Sequence, residues 1–397
     1  MRLFLPFALL CVVTWCPVAD AQQPCSPPQG ASGKALLLPQ PTGPFAVGRT
    51  ARRVTGTAAS AVAAPEGEAV IHIWYPATRA GATPAHYIPG WDQARATMKE
   101  PAERLFREAY CAFDEGRITG HSIEGAPVAR ANRRFPLLLF TPGLGITSFA
   151  YSAQIEDLAS HGYVVAAAEY QPAVSFVVLP DRWVATFDAS RWNALSKLPE
   201  DSLELTKAEQ TQIDSGAQSL RAALDEIMRR AAADPLLGRV DFSRVGVFGH
   251  SFGGMTVLRA VQIDPRFRAG LAQDALGQGV RAFAKEGTRH QGRFGLFFRP
   301  VRAGAQPDLD ELFNALPKGT MLATASSPEF AHMSFSDLLF LRSGGDVEKQ
   351  QRTLRHLEFV RALTRSYFDH ALRGAGQHPS GLGARGYPEL VVKTSGN

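Results

Sequence analysis

From residue 135 onward the chain carries a series of short apolar runs, "FPLLLFTP" at 135–142, "YVVAAAEY" at 163–170, "RVGVFGHS" at 244–251, "AGLAQDA" at 269–275 and "RFGLFFRPV" at 293–301. A strand with one wet face alternates apolar and polar residues, whereas an unbroken run must be covered on both faces. Between the runs lie stretches with apolar residues at helical steps. "YSAQIEDLASHG" carries Tyr151, Ile155 and Leu158 and stops at Gly162, and "FGGMTVLRAVQI" follows the third run directly. Strand alternating with helix in this way requires a mainly parallel central sheet flanked by helices, so the fold class is α/β.

Further elements extend this frame. "EAVIHIWYP" at 68–76 is a strand ended by Pro76, and "GTMLATAS" at 319–326 is the last strand candidate. Ile213, Leu220, Leu224, Ile227 and Met228 give residues 207–230 one apolar helix face, and Leu354, Leu357, Val360, Leu363 and Tyr367 do the same for 347–373. Residues 171–206 break the rhythm with prolines and the aromatics Trp183, Phe187 and Trp192. A long insertion after the carboxyl end of a strand is a place for a cap or lid over a substrate pocket, or for a purely structural excursion.

The N-terminus, "MRLFLPFALLCVVTWCPVADAQQPC", has a basic residue at Arg2, an apolar core from Leu3 to Val13 and a small-residue site at Ala19-Asp20-Ala21. These are the parts of a signal peptide over 1–21, which implies a secreted or periplasmic chain. Its apolar run is shorter than the roughly 18 residues of a membrane span. Residues 22–67, rich in Pro, Gly, Ala and Ser without a sustained period, read as an extended leader, and 68–397 as a single domain. After cleavage Cys25 and Cys111 remain, an even pair in an oxidising compartment, and a disulfide between them is expected. The 42 basic and 37 acidic residues give a net charge of +5 with no block of five like charges, too mild for a nucleic-acid partner. Contact with a membrane or lipid surface would be transient.

Gly249-His250-Ser251-Phe252-Gly253 matches G-x-S-x-G, with a strand entering it and a helix leaving it. That context makes Ser251 a nucleophile on a sharp turn, with the opening helix presenting N–H groups to a developing oxyanion. A serine hydroxyl needs a base held by a carboxylate, and on this fold acid and then histidine follow the serine in the chain. Of the later histidines, His356 and His370 lie inside the last helix, His378 in a Gly/Pro-rich tail and His290 in a charged insertion. His332, in "SSPEFAHMSFSDLLF", follows a strand and precedes an apolar helix, so its loop reaches the sheet edge. His250 is expected to point away as a packing residue. For the acid, Asp274 follows one strand, Asp308 and Asp310 follow the next, and Glu329 is a weaker third choice; pattern alone leaves the first two positions open. In "FTPGLGITS", Gly143 and Gly145 surround Leu144, which is either a second oxyanion donor, its N–H pairing with that of Phe252, or part of an ordinary strand-to-helix turn; spacing leaves both open.

"IWYP", "GLG…YSAQIEDLASHGYVVAAAE", "SRVGVFGHSFGG", "RFRAGLAQDA" and "FAHMSFSDLLF" together resemble the platelet-activating factor acetylhydrolase family and its bacterial dienelactone-hydrolase-like or lipase-like relatives, over roughly 68–372. The resemblance implies an α/β-hydrolase fold, nucleophile Ser251, acid Asp274, histidine His332, oxyanion donors Leu144 and Phe252, and no metal or organic cofactor. It implies an ester hydrolase acting on short-acyl phospholipid or related lipid esters. Pro142 stands where the family commonly has a histidine, and "QDALGQG" lacks the family's aromatic after Asp-Ala. An esterase for small or polymeric esters and a non-catalytic binding protein of the same fold are the alternatives.

Overall fold

The computed structural model describes residues 36–55, 68–78, 84–91, 118–168, 171–180, 182–187, 189–199, 202–287, 292–343, 346–376 and 378–396. Residues 1–21, read from the sequence as a signal peptide, and Cys25, Cys111 and His290 lie outside the described residues. In chain order the strands are β1 (Leu36–Leu37), β2 (Ala46–Thr55), β3 (Glu68–Ala77), β4 (Pro84–His86), β5 (Ile118–Glu124), β6 (Phe135–Thr141), β7 (Val164–Ala168), β8 (Phe176–Val178), β9 (Trp183–Ala185), β10 (Val240–His250), β11 (Phe267–Gln273), β12 (Arg293–Phe298), β13 (Met321–Ala325) and β14 (Leu390–Thr394). The helices are α1 (Ser152–Ser160), α2 (Ala189–Ser196), α3 (Leu203–Arg230), α4 (Phe252–Ile263), α5 (Gln278–Glu286), α6 (Gln306–Ala315), α7 (Leu338–Leu341) and α8 (Val347–Arg373).

One sheet runs β1-β5-β2-β3-β7-β6-β10-β11-β12-β13-β14, with β4 beside β5. From β7 to β13 every neighbouring pair is parallel, while β2/β3, β3/β7 and β13/β14 are antiparallel. The unbroken apolar runs are explained by what covers them. Leu137, Leu139, Val164, Ala166, Val245 and Val247 pack with α3, α4 and α5 in one core. Leu138, Phe140, Val165, Ala167 and Phe248 pack with α1 and α8 in another. Successive residues of one strand therefore enter opposite layers, and neither face is left for water.

Helix ends follow local chemistry. The α3 helix starts four residues before the expected 207, because the Ser202 hydroxyl accepts the Leu205 N–H at 3.0 Å and caps it. Asp346 does the same for α8, whose observed span of 347–373 is the expected one, and Gly374 at φ 59° closes it.

Two strands depart from expectation. Residues 46–55, read as part of an extended leader, form β2, which pairs antiparallel with β3 and parallel with β5. Arg49, Arg52 and Arg53 conceal this strand from a hydrophobic scan, yet each has a carboxylate waiting in the fold, in Glu124, Asp234 and Glu68. At the end of the sheet, β14 lies beyond the last strand candidate, and its five residues become a strand only by pairing with β13. No helix among the described residues is long and apolar enough to cross a membrane.

Candidate active site

Among the described residues two non-glycine positions have positive φ, Ser251 at 55° and Asp274 at 48°. Each sits at the carboxyl end of a central strand, where the backbone must turn at once. Both turns are fixed from the neighbouring strand, by Ser251 N–H to Gln273 C=O at 2.8 Å and Asp274 N–H to Phe297 C=O at 2.7 Å. Left-handed backbone at a residue with a β-carbon is strained, and such strain persists only where surrounding structure imposes it.

The turn is tight because Gly249 and Gly253 let it be so. A β-carbon on Gly249 would lie 2.6 Å from the Thr141 carbonyl oxygen, and one on Gly253 would lie 2.3 Å from that same oxygen and 2.5 Å from the Pro142 oxygen. The Ser251 turn thus rests directly on the end of β6 and the start of the "PGLG" loop.

His332 opens a short 3-10 turn, His332–Phe335, held by Ala331 N–H to Ser334 Oγ at 3.0 Å. Its Nε2 is 3.0 Å from Ser251 Oγ and its Nδ1 is 2.5 Å from Asp274 Oδ2. Asp274 is buried and His332 half-buried, so the carboxylate is shielded while the imidazole edge reaches the surface. The histidine loop is anchored from below. Phe335 is fully buried among Phe297 and Phe330, its carbonyl accepts Gln154 Nε2 at 2.9 Å, and Gln154 meets Gln273. Asp337 fastens the far end, accepting the Ala153 N–H at 3.2 Å and the Tyr87 hydroxyl at 3.0 Å. Burial pushes the Asp337 carboxyl well above the usual carboxylate range.

The structure separates the other sequence candidates from this centre. Asp308 and Asp310 lie on α6, where Asp308 meets Arg281 at 2.6 Å and Asp310 accepts Gln306 Nε2 at 2.9 Å. Glu329 is exposed and accepts the Ser327 hydroxyl. His356 is buried on α8 behind the histidine loop, and His370 faces His378 with ring centroids 4.9 Å apart. His250 does not point away as expected: its ring centroid is 4.5 Å from that of His332. Its neighbours explain this, since Tyr151 and Phe335 form a buried slot on that side.

Leu144 lies in the loop after β6, half-buried, and Phe252 opens α4. The insertion at 171–206 braces both. Gly145 N–H donates to Ala173 C=O at 2.7 Å, the Ser175 hydroxyl donates to the Gly145 carbonyl, and Trp192 packs edge-on against Phe252 at 5.0 Å. It is built from the β8–β9 hairpin and α2, and the Trp183 side chain lies outside the described set.

Sequence reasoning missed Arg299, whose Nε is 3.1 Å from Asp274 Oδ2, so the carboxylate serves a guanidinium as well as an imidazole. The signal was its place six residues into the "RFGLFFRPV" run, one strand over from Asp274. His250, Asp274 and His332 also bring one potential metal-ligating atom each within 4.8 Å of one another. Both nitrogens of His332 and Nδ1 of His250 are already engaged in hydrogen bonds, so we assign no cation there.

A strained serine between a central parallel strand and a helix, with aspartate and histidine delivered in that chain order from later strand ends, is the arrangement of the α/β-hydrolase fold. The family model described as platelet-activating factor acetylhydrolase, isoform II, matches residues 30–290, and the chain belongs to that family. The match contains Ser251 and Asp274 and ends before His332. The platelet-activating factor acetylhydrolase of Canis lupus familiaris is 30% identical over 219 residues, 52% of this chain and 49% of that protein. That of Gallus gallus is 28% identical over 275 residues, 62% of each chain. A probable 1-alkyl-2-acetylglycerophosphocholine esterase of Arthroderma benhamiae is 21% identical over 393 residues, 90% of this chain and 94% of that one. The chain spans about half the length of the curated acetylhydrolases it matches. A ferulic acid esterase from Streptomyces cinnamoneus shares the fold, with TM-score 0.65 and 20% identity over 90% of this chain and 99% of that one.

Proposed function

We propose that this chain is a serine hydrolase of carboxylic esters, with short-acyl phospholipid or related lipid esters as its substrates. One observation carries the reading: a single imidazole bridges a strained serine hydroxyl, 3.0 Å away, and a buried carboxylate, 2.5 Å away. Ser251 Oγ attacks the ester carbonyl while His332 Nε2 takes its proton. Asp274 holds Nδ1–H and steadies the imidazolium. The developing oxyanion is received by the N–H groups of Leu144 and Phe252. His332 returns the proton to the leaving alcohol, and water, activated by the same imidazole, releases the acyl group and regenerates Ser251.

The short-acyl preference rests on the family and on the brace that the insertion forms around Leu144 and Phe252. Pro142 and the "QDALGQG" segment stand where family members have bulkier polar or aromatic groups, and this favours, as the second reading, small or polymeric esters. Hydrolysis of p-nitrophenyl esters of increasing acyl length, beside a 1-alkyl-2-acetyl phospholipid, separates the two. The apolar run at 3–13 and the small-residue site at 19–21 support export of the chain. A fluorophosphonate probe should label wild type and not Ser251→Ala, whose turnover falls by about 10³- to 10⁶-fold. Folded protein that does not label, or full activity in Ser251→Ala, refutes the enzyme reading in favour of a binding protein.

A further inference from the structure

His250 stands beside the nucleophile and takes no part in the steps above. Its ring is wholly buried, and burial drives the imidazole well below its ordinary range, so it is neutral and one of its nitrogens accepts. Nδ1 is 2.8 Å from the Tyr151 hydroxyl, and that hydroxyl is 3.1 Å from the Gly143 nitrogen. A backbone N–H can only donate. The phenol oxygen therefore accepts from Gly143, and its proton goes to His250 Nδ1. This places the imidazole proton on Nε2, which makes no hydrogen bond of ordinary geometry, although the His332 backbone faces the ring.

Three loops meet on this one ring. The oxyanion loop arrives through Gly143 and Tyr151, and a β-carbon at Gly143 would lie 3.2 Å from both His250 Nδ1 and the Tyr151 oxygen. The nucleophile turn is His250's own. The histidine loop arrives through His332, at 4.5 Å between centroids, and through Phe335, which stacks on His250 at 5.3 Å. We propose that Tyr151 and His250 are positioning residues of the ester hydrolysis, fixing through the Gly143 N–H where the Leu144 N–H points and, through ring packing, where His332 stands. The proposal rests on the serine-hydrolase reading above. With the Gly143 N–H committed to a buried phenol, the next amide in the loop is held for the oxyanion, and preorganised donors need no rearrangement as charge develops.

The test uses Tyr151→Phe, which keeps the ring and removes the hydroxyl. With p-nitrophenyl acetate, kcat should fall about 10- to 100-fold while KM stays within about twofold, since a displaced oxyanion donor is felt in the transition state. A short alkyl boronic acid, which forms a tetrahedral adduct on the serine, should bind more weakly by a similar factor. A packing role alone would lower the melting temperature and leave kcat and boronate affinity together unchanged. His250→Gln keeps an acceptor for the phenol and His250→Leu does not, so the Gln variant should retain clearly more kcat than the Leu variant. If Tyr151→Phe does not fold, this pair decides. Wild-type activity abolished in Ser251→Ala establishes the underlying reading independently. Given that activity, folded Tyr151→Phe with kcat within twofold of wild type, or equal kcat in His250→Gln and His250→Leu, overturns the positioning proposal.

Discussion

Gly253→Ala tests how strictly the nucleophile turn and the oxyanion loop depend on each other. The added β-carbon would lie 2.3 Å from the Thr141 oxygen, 2.5 Å from the Pro142 oxygen and 2.8 Å from the Thr141 carbonyl carbon. Carbon and oxygen sit comfortably at about 3.3 Å or more, so the turn and the end of β6 must separate by about 1 Å. None of these atoms is the tip of a side chain that can rotate away. Thr141 is in register with Gly249 across the β6–β10 pair, so the strand cannot slide without losing ladder bonds. The strain falls on the Pro142–Leu144 loop and the start of α4, which carry the two proposed oxyanion donors. Overpacking of this kind costs about 1–3 kcal/mol of stability. A displacement of about 1 Å in reacting geometry costs about 10²-fold in rate. Urea unfolding and p-nitrophenyl acetate kinetics measure both, and KM should change far less than kcat. Gly383→Ala, whose β-carbon would meet only the Leu390 oxygen at 3.6 Å, is the control and should behave as wild type. A Gly253→Ala protein with unchanged urea midpoint and wild-type kcat would refute the argument.

Asp274→Asn leaves an amide opposite His332 Nδ1, so the imidazole loses its tautomer and its counter-charge; kcat should drop about 10⁴-fold, with fluorophosphonate labelling slowed in parallel. Asp308→Asn and Asp310→Asn, on α6 and paired elsewhere, should hold kcat within about twofold of wild type in the same assay, and a large loss in either would move the acid away from Asp274. Burial lowers His72 to about 3 and His356 to about 4, and His250 well below the usual value. These rings stay neutral in the folded chain while their unfolded counterparts take protons near about 6.5, so urea midpoints should fall as pH drops from about 7 toward 4. Asp337, raised by burial, acts in the opposite direction, stabilising at low pH and losing that contribution as pH rises, so Asp337→Asn should make the acid-side decline steeper. A flat or shallower decline in that variant contradicts the assignment.

Ser251 was legible because its signal is local. A glycine pair, an entering strand and a leaving helix lie within twenty residues, and the backbone of such a turn leaves few alternatives. His332, the proposed base, stood out for a related reason, as a histidine between a strand and an apolar helix at the right distance down the chain. The proposed acid stood out less. Asp274 and Asp308 both follow strands, and pattern could not tell them apart; in the fold, Asp274 leaves β11 directly at positive φ into reach of His332, while the chain after β12 runs on into α6 and turns Asp308 to Arg281.

The sequence by itself determined the layered α/β frame, because unbroken apolar runs can be buried only between two helical layers, and it determined the tight turn at Ser251, because only glycine fits where two backbones touch. Tertiary structure alone decided the edges and the surroundings of the site. The arginine-rich β2 and the short β14 become strands only when a partner strand supplies their hydrogen bonds and counter-charges. Arg299 beside Asp274, Tyr151 against His250, and Trp192 against Phe252 are contacts between residues far apart in the chain. Such contacts leave no period or motif behind, since what fixes them is the packing of strands already placed.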